Sequence, residues 1–206
     1  MMFRNAISRQ AVVVLAAFAL GACASAPPTH YYTLIDGQGS ADTPVASPAP
    51  FLIDVHPVSV PAQVDRPQLV VRDGSGVLPL EQERWIAPLA DEVRSALSAD
   101  LSQGLAATDI AGLPRPEGAK VIDIKVDLHR FESAPDSYVA INAVWSVVMG
   151  GKSTPLVCAS NVRADAGKGY DHLVAAQRRA LLTIAGRIVS AVRSYAPTGK
   201  GVCPAE

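Results

Sequence analysis

Between Val121 and Glu132 the chain reads "VIDIKVDLHRFE", in which Ile122, Ile124, Val126 and Leu128 alternate with Asp123, Lys125, Asp127 and His129. A period of two with one apolar face predicts a half-exposed strand whose polar face meets water or a partner. "SAPDS" then turns the chain, and "YVAINAVWSVVM" sets Val139, Ile141, Ala143, Trp145 and Val147 on one face of a second strand. A Gly150-Gly151 turn leads into a third strand, "LVCASNVRA". Upstream, "FLIDVHPV" alternates Phe51, Ile53 and Val55 against Leu52, Asp54 and His56, and Pro57 and Pro61 limit that strand or place it near an edge. "QLVVRDGSGVLPLEQERW" reads as strand, turn, strand, with Asp73-Gly74-Ser75-Gly76 as the turn.

Two segments switch to helical spacing. In "WIAPLADEVRSALSADLSQGL", Ile86, Leu89, Val93, Leu97 and Leu101 recur every three or four residues, with Pro88 in the first turn and Gly104 as a stop. From Tyr170 to Tyr195 an apolar stripe runs through Tyr170, Val174, Leu181, Ile184, Ile188 and Val192, with Arg178, Arg179, Arg187 and Arg193 largely off it. Strands, helix, a meander of strands and a second helix predict an α+β fold: a mostly antiparallel sheet with two amphipathic helices packed on one face. There is no internal repeat.

The N-terminus has a different pattern. Met1–Gln10 carries Arg4 and Arg9 and no acid, and Ala11–Leu20 is uninterrupted and apolar. That run is roughly 15 Å long as a helix, half of a bilayer core of about 30 Å, too short to span and laid out like a secretory signal peptide. It ends in "FALGACASAPP", where Leu20-Gly21-Ala22-Cys23 resembles the lipobox of bacterial lipoproteins. The resemblance implies cleavage before Cys23, a diacylglycerol on its thiol and a further acyl chain on its freed amine; several chains make membrane attachment effectively stable. Ala24, where an aspartate would favour inner-membrane retention, implies sorting to the outer membrane.

Of 206 residues, 49% are hydrophobic and the formal net charge is −1. Loss of residues 1–22 removes two of 18 bases and none of 19 acids, for a net of −3. This balance excludes phosphate-driven nucleic-acid binding and a polybasic membrane surface. Cys158 and Cys203 remain after Cys23. An exported pair tends to be bridged, which would tie the C-terminal tail to the body; the alternative is two separate thiols, one of them buried. After Cys23, Tyr31, Tyr32, Thr33 and Leu34 form a short island of strand preference that is expected to dock as an edge strand, with Tyr31, Tyr32 and Leu34 as the docking residues. "IDGQGSADTPVASPAP" reads as a flexible spacer before a body that starts near Phe51. Residues 24–50 fully extended would reach roughly 90 Å, and docking of the island shortens the free leash greatly.

Catalytic constellations are not visible. His30, His56, His129 and His172 share no metal-ligand spacing, and His129 falls on a polar strand face. There is no Gly-x-Ser-x-Gly elbow. Gly151-Lys152-Ser153 imitates the end of a phosphate loop, but Ser146 stands where its first glycine should, and Thr154-Pro155 break a helix. Asp123 and Asp127 lie roughly 13 Å apart at strand spacing, too far for a glycosidase pair, and read as a solvated face. The last helix's arginines read as a solvated face before an anionic-lipid site, and Trp85 and Trp145 as core. No catalytic residue, metal or cofactor is expected.

The whole pattern resembles the PqiC-like family of ABC-type transport auxiliary lipoproteins. The match rests on the lipobox, Tyr31-Tyr32, the Val58-Ser59-Val60-Pro61 segment, and Trp85, Pro88 and Leu89 at the start of the first helix, and it covers roughly residues 23–195. The "GKGVCPAE" tail and its Cys203 fall outside that pattern. The expected organisation is a signal peptide over 1–22, a lipidated tether with a short strand over 23–50, an α/β auxiliary lipoprotein domain over 51–196 and a tail over 197–206. The resemblance implies a non-catalytic outer-membrane component that works with an MCE-domain protein and ABC or other inner-membrane transport components, moving lipids or other hydrophobic molecules and supporting envelope integrity. Docking onto rings would favour a homo-oligomer. Two other readings stand beside it: a periplasmic carrier holding lipid in its own cavity, and an envelope hydrolase.

Overall fold

The computed structural model describes residues 27–35, 48–150 and 153–205. The expected signal peptide, the lipobox with Cys23, most of the spacer, and Gly151 and Lys152 lie outside them. Among the described residues, seven strands and two helices follow one another: β1 (His30–Tyr32), β2 (Leu52–Val55), β3 (Gln68–Asp73), β4 (Gly76–Trp85), α1 (Leu89–Leu105), β5 (Val121–Ala134), β6 (Tyr138–Met149), β7 (Leu156–Asp165) and α2 (Tyr170–Tyr195).

The strict alternation of the central segment produces the longest hairpin. β5 and β6 pair antiparallel from Ile122 opposite Met149 to Ala134 opposite Tyr138. Asp136 takes the left-handed conformation in the turn (φ 56°), which aspartate tolerates better than most residues. A register shift between Leu128 and Arg130 changes the phase. Before this bulge Ile122, Ile124, Val126 and Leu128 face the core, and beyond it Phe131 and Ser133 do. One extra residue in the strand flips every later side chain.

The strands form two sheets, β2-β5-β6-β7 and β1-β4-β3. The hairpins are antiparallel, whereas β2 on β5 and β1 on β4 are parallel. β2 and β1 are edge strands, and the parallel pairs follow from connection length: the chain between β2 and β5 contains a whole hairpin and a helix. Both helices cover one face of the four-stranded sheet, α2 against β6 and β7 and α1 against α2 and β2. Trp145, Ile53, Leu97, Ile124 and Leu173 are fully buried between them. Trp145 donates its indole N–H to Ser160 at 3.0 Å, and Gln177 donates to Ser133 at 2.6 Å. Trp85 is also buried, edge-on to Phe131 with ring centroids 6.5 Å apart, as expected of core tryptophans.

α2 has the bounds that its stripe predicts, and α1 ends at Leu105 as its pattern does, but α1 starts later than expected and its stop is a different residue. Pro88 precedes the helix with an extended ψ of 136°, and Ile86 lies outside it, exposed. Gly104 does not stop the helix; Ala106 does, in the left-handed conformation (φ 50°). Gly104 serves the contact with α2 instead, since a Cβ there would lie 2.8 Å from Cγ2 of Val189. Arg193 of α2 donates to the Gly104 carbonyl at 2.7 Å in the same place. A sequence pattern shows that a glycine interrupts a helix but not that a neighbouring helix needs the space.

Candidate docking site

β1 lies along the end of β4, with His30 opposite Glu83 and Tyr32 opposite Trp85, and Ile86 N–H extends the pairing to the Tyr32 carbonyl at 2.9 Å. Two carboxylates hold the segment. Glu83 accepts the Tyr32 hydroxyl at 2.7 Å and lies 3.1 Å from Nδ1 of His30. Glu92, in the first turn of α1 and 2% exposed, accepts the Thr33 hydroxyl and the Leu34 N–H, each at 2.7 Å. Leu34 itself is buried. Burial first, then the Glu83 carboxylate, push the Tyr32 phenol far above its usual value, so it stays a donor. Of the expected docking residues, Tyr32 and Leu34 face the body, and Tyr31 points outward, 61% exposed. The strand preference of the island marks it as a docking segment, but the two glutamates that receive it carry no local signal: each reads as a solvated charge in its own strand or helix.

The face of the four-stranded sheet away from the helices carries the other polar groups. The parallel register sets Asp54 beside Asp123, a like-charge neighbour pair that would repel. Arg115 answers it, donating to Asp54 at 2.8 Å and also to Asp123, which His56 reaches at 2.8 Å. Burial pushes the Asp123 carboxyl up, but the hydrogen bonds from Arg115 and His56 outweigh it and the net shift is downward. Their bonds with Asp123 and then Asp54 hold the Arg115 guanidinium firmly charged. Asp54, His56 and Asp123 place one ligand atom each within 4.8 Å of one another. Arg115 already supplies the positive charge that such a group calls for, so the arrangement is a closed ion-pair network. It also corrects the reading of Asp123 as a solvated carboxylate. Asp127 keeps that description: it is half-exposed, bonded to Ser59 and to His129 at 3.1 Å.

Beyond the bulge, Glu132 accepts from Arg72, from Arg130 at 2.7 Å and from the Tyr138 hydroxyl at 2.6 Å. Burial raises its carboxyl, the hydrogen bonds from Arg130, Tyr138 and Arg72 lower it more, and it lies at about 2. This network joins β3 of the small sheet to β5 of the large one. Arg179 and Arg187 donate to the Asp165 and Asn161 carbonyls on the edge of β7, at 3.0 and 3.4 Å, so these helix arginines hold backbone rather than face solvent freely. At the other end of β7, Cys158 and Cys203 form a disulfide that ties the tail to the sheet. Among the described residues are surface grooves of about 430 and 350 Å³, the first over Lys125, Asp127, Val144, Ser146, Val157 and His56.

The fold has solved relatives. A crystal structure of an uncharacterized protein superposes with a TM-score of 0.62 at 20% identity, covering 79% of this chain and 97% of the other. Protein XCC0632 from Xanthomonas campestris, of a domain family of unknown function, superposes with a TM-score of 0.57 at 17% identity, covering 79% and 94%. At these identities the likeness shows the fold alone. No curated protein matches the chain. Residues 32–189, from the clamped Tyr32 to the Val189 contact of the two helices, match the family described as the ABC-type transport auxiliary lipoprotein component, and the chain belongs to that family.

Proposed function

We propose that this protein is anchored in the outer membrane through acylated Cys23, faces the periplasm, and serves without catalysis as the auxiliary component of an MCE-linked transport system for lipids or other hydrophobic molecules. The observation that supports it best is the clamp on residues 30–35. A segment that begins seven residues after the acylation site is fastened to the body by a strand pairing and two carboxylates. That arrangement suits a protein whose task is to hold other components at a membrane. The carrier reading draws no support from these two grooves, which are open to solvent and lined by charged groups as well as apolar ones. The hydrolase reading would need a hydroxyl activated by an imidazole, whereas Ser59 and His129 each bond to Asp127 and not to one another. Photo-crosslinking in cells from the sheet face at Lys125 and Val157, followed by identification of the captured protein, tests the partner. Recovery of an MCE-domain protein is expected; recovery of outer-membrane proteins unrelated to transport would overturn the assignment.

A further inference from the structure

We propose that the corner of the body formed by Tyr31, Ile35 and Ile86 lies flat on the membrane that holds the acyl anchor, with Tyr31 and Ile86 seated among the lipid headgroups. The inference rests on acylation at Cys23. Three observations lead to it.

The first is reach. His30 lies seven positions after Cys23, so a fully extended link gives at most about 25 Å. Docked β1 cannot leave that radius. α1 alone is 17 residues long, about 25 Å at 1.5 Å per residue. The leash therefore keeps β1 and the corner beside it within reach of the bilayer, and the end where Gly104 meets Val189 lies about the length of α1 from that corner.

The second is the surface at the tethered end. Tyr31 is 61% exposed, Ile86 62% and Ile35 43%. Tyr32 and Trp85 are register partners turned into the protein; Tyr31, paired with Arg84, precedes the one and Ile86 follows the other just past the end of β4, and both are exposed. Ile35 follows directly. A surface groove of about 350 Å³ bordered by Asp65, Arg66, Pro67 and Pro88 continues the patch beside Ile86. Large apolar side chains gathered on one face mark an interaction site.

The third is the chemistry of the residues. A tyrosine with its ring exposed, aliphatic neighbours and an exposed arginine, Arg66, fit the boundary between acyl chains and headgroups, where one end of each group is apolar and the other wet. A soluble protein partner at this corner would have to compete with a bilayer no more than a short leash away. The orientation also turns the α1–α2 C-terminal end and the disulfide-tied tail toward the periplasm.

The test uses the full-length acylated protein in vesicles of phosphatidylethanolamine and phosphatidylglycerol. Because Cys23 is acylated and Cys158 is bridged to Cys203, an introduced cysteine is the one labelled thiol. Bimane is attached in Ile86→Cys or in Leu113→Cys, the latter exposed just beyond the far end of α1. Vesicles containing nitroxide-headgroup lipid should quench the label at 86 and leave that at 113 unchanged, relative to vesicles without nitroxide. Adding Tyr31→Asp should weaken the quenching at 86 while the protein still floats with the vesicles. Flotation with equal signals at the two positions overturns the orientation alone. Failure to float overturns the anchor and the orientation with it.

Discussion

The backbone N–H of Leu34 ends on the carboxylate of Glu92, 58 residues further along the chain, at 2.7 Å and out of contact with water. A buried carboxylate that accepts from both Thr33 and Leu34 makes the first turn of α1 a receptor for the N-terminal segment.

Glu92→Ala removes the oxygen that accepts both bonds and leaves a buried N–H without a partner. The expected cost is about 2 kcal/mol in chemical denaturation. Amide exchange at residues 32–35 should accelerate far more than exchange in the β5–β6 hairpin. Uniform acceleration across the body would mean that Glu92 supports the core and not the clamp.

Glu132 gives a pH dependence with a definite sign. Its carboxyl falls from 4.5 to about 2 on folding, so the folded state favours the ionised form. That contribution is complete above pH 4.5 and is lost as the pH falls from there toward 2. Glu132→Gln should destabilise the protein at pH 7 by about 2 kcal/mol, and the gap to wild type should close by about pH 2. A gap that stays constant across this range would show that shape rather than charge is what Glu132 contributes.

Gly104→Ala sets helix propensity against packing. Alanine favours the helix by about 1 kcal/mol, while its Cβ would lie 2.8 Å from a stiff valine methyl, and overpacking costs about 1–3 kcal/mol. A net loss is expected in thermal unfolding. In a Val189→Ala background the same substitution should become neutral or stabilising. An unchanged loss in that background would count against the contact.

The disulfide closes a 45-residue separation. Reduction, or Cys203→Ser, should cost about 2–4 kcal/mol while leaving the circular dichroism of the body in place. Identical unfolding midpoints with and without reductant would show that the tail adds nothing to stability.

Cys23→Ser should fold normally yet leave the membrane fraction. Retention of that variant in washed outer membranes would end the anchor proposal.

The chain's own pattern determined the elements and their faces. Alternation between Val121 and Leu128 and between Tyr138 and Met149, and the stripe from Tyr170 to Tyr195, are local consequences of which side chains avoid water, so they are readable without knowledge of any neighbour. The same holds for the apolar run before Cys23 and for the strand preference of the Tyr31–Leu34 island. The tertiary structure alone decided the rest. It brought Asp54 beside Asp123 and so required Arg115, turned Gly104 from a helix stop into a point of close approach, and made Glu83 and Glu92 the holders of the N-terminal segment. Those relationships join residues tens of positions apart. A charge with a distant partner has the same local sequence as a charge in water, and only packing tells them apart.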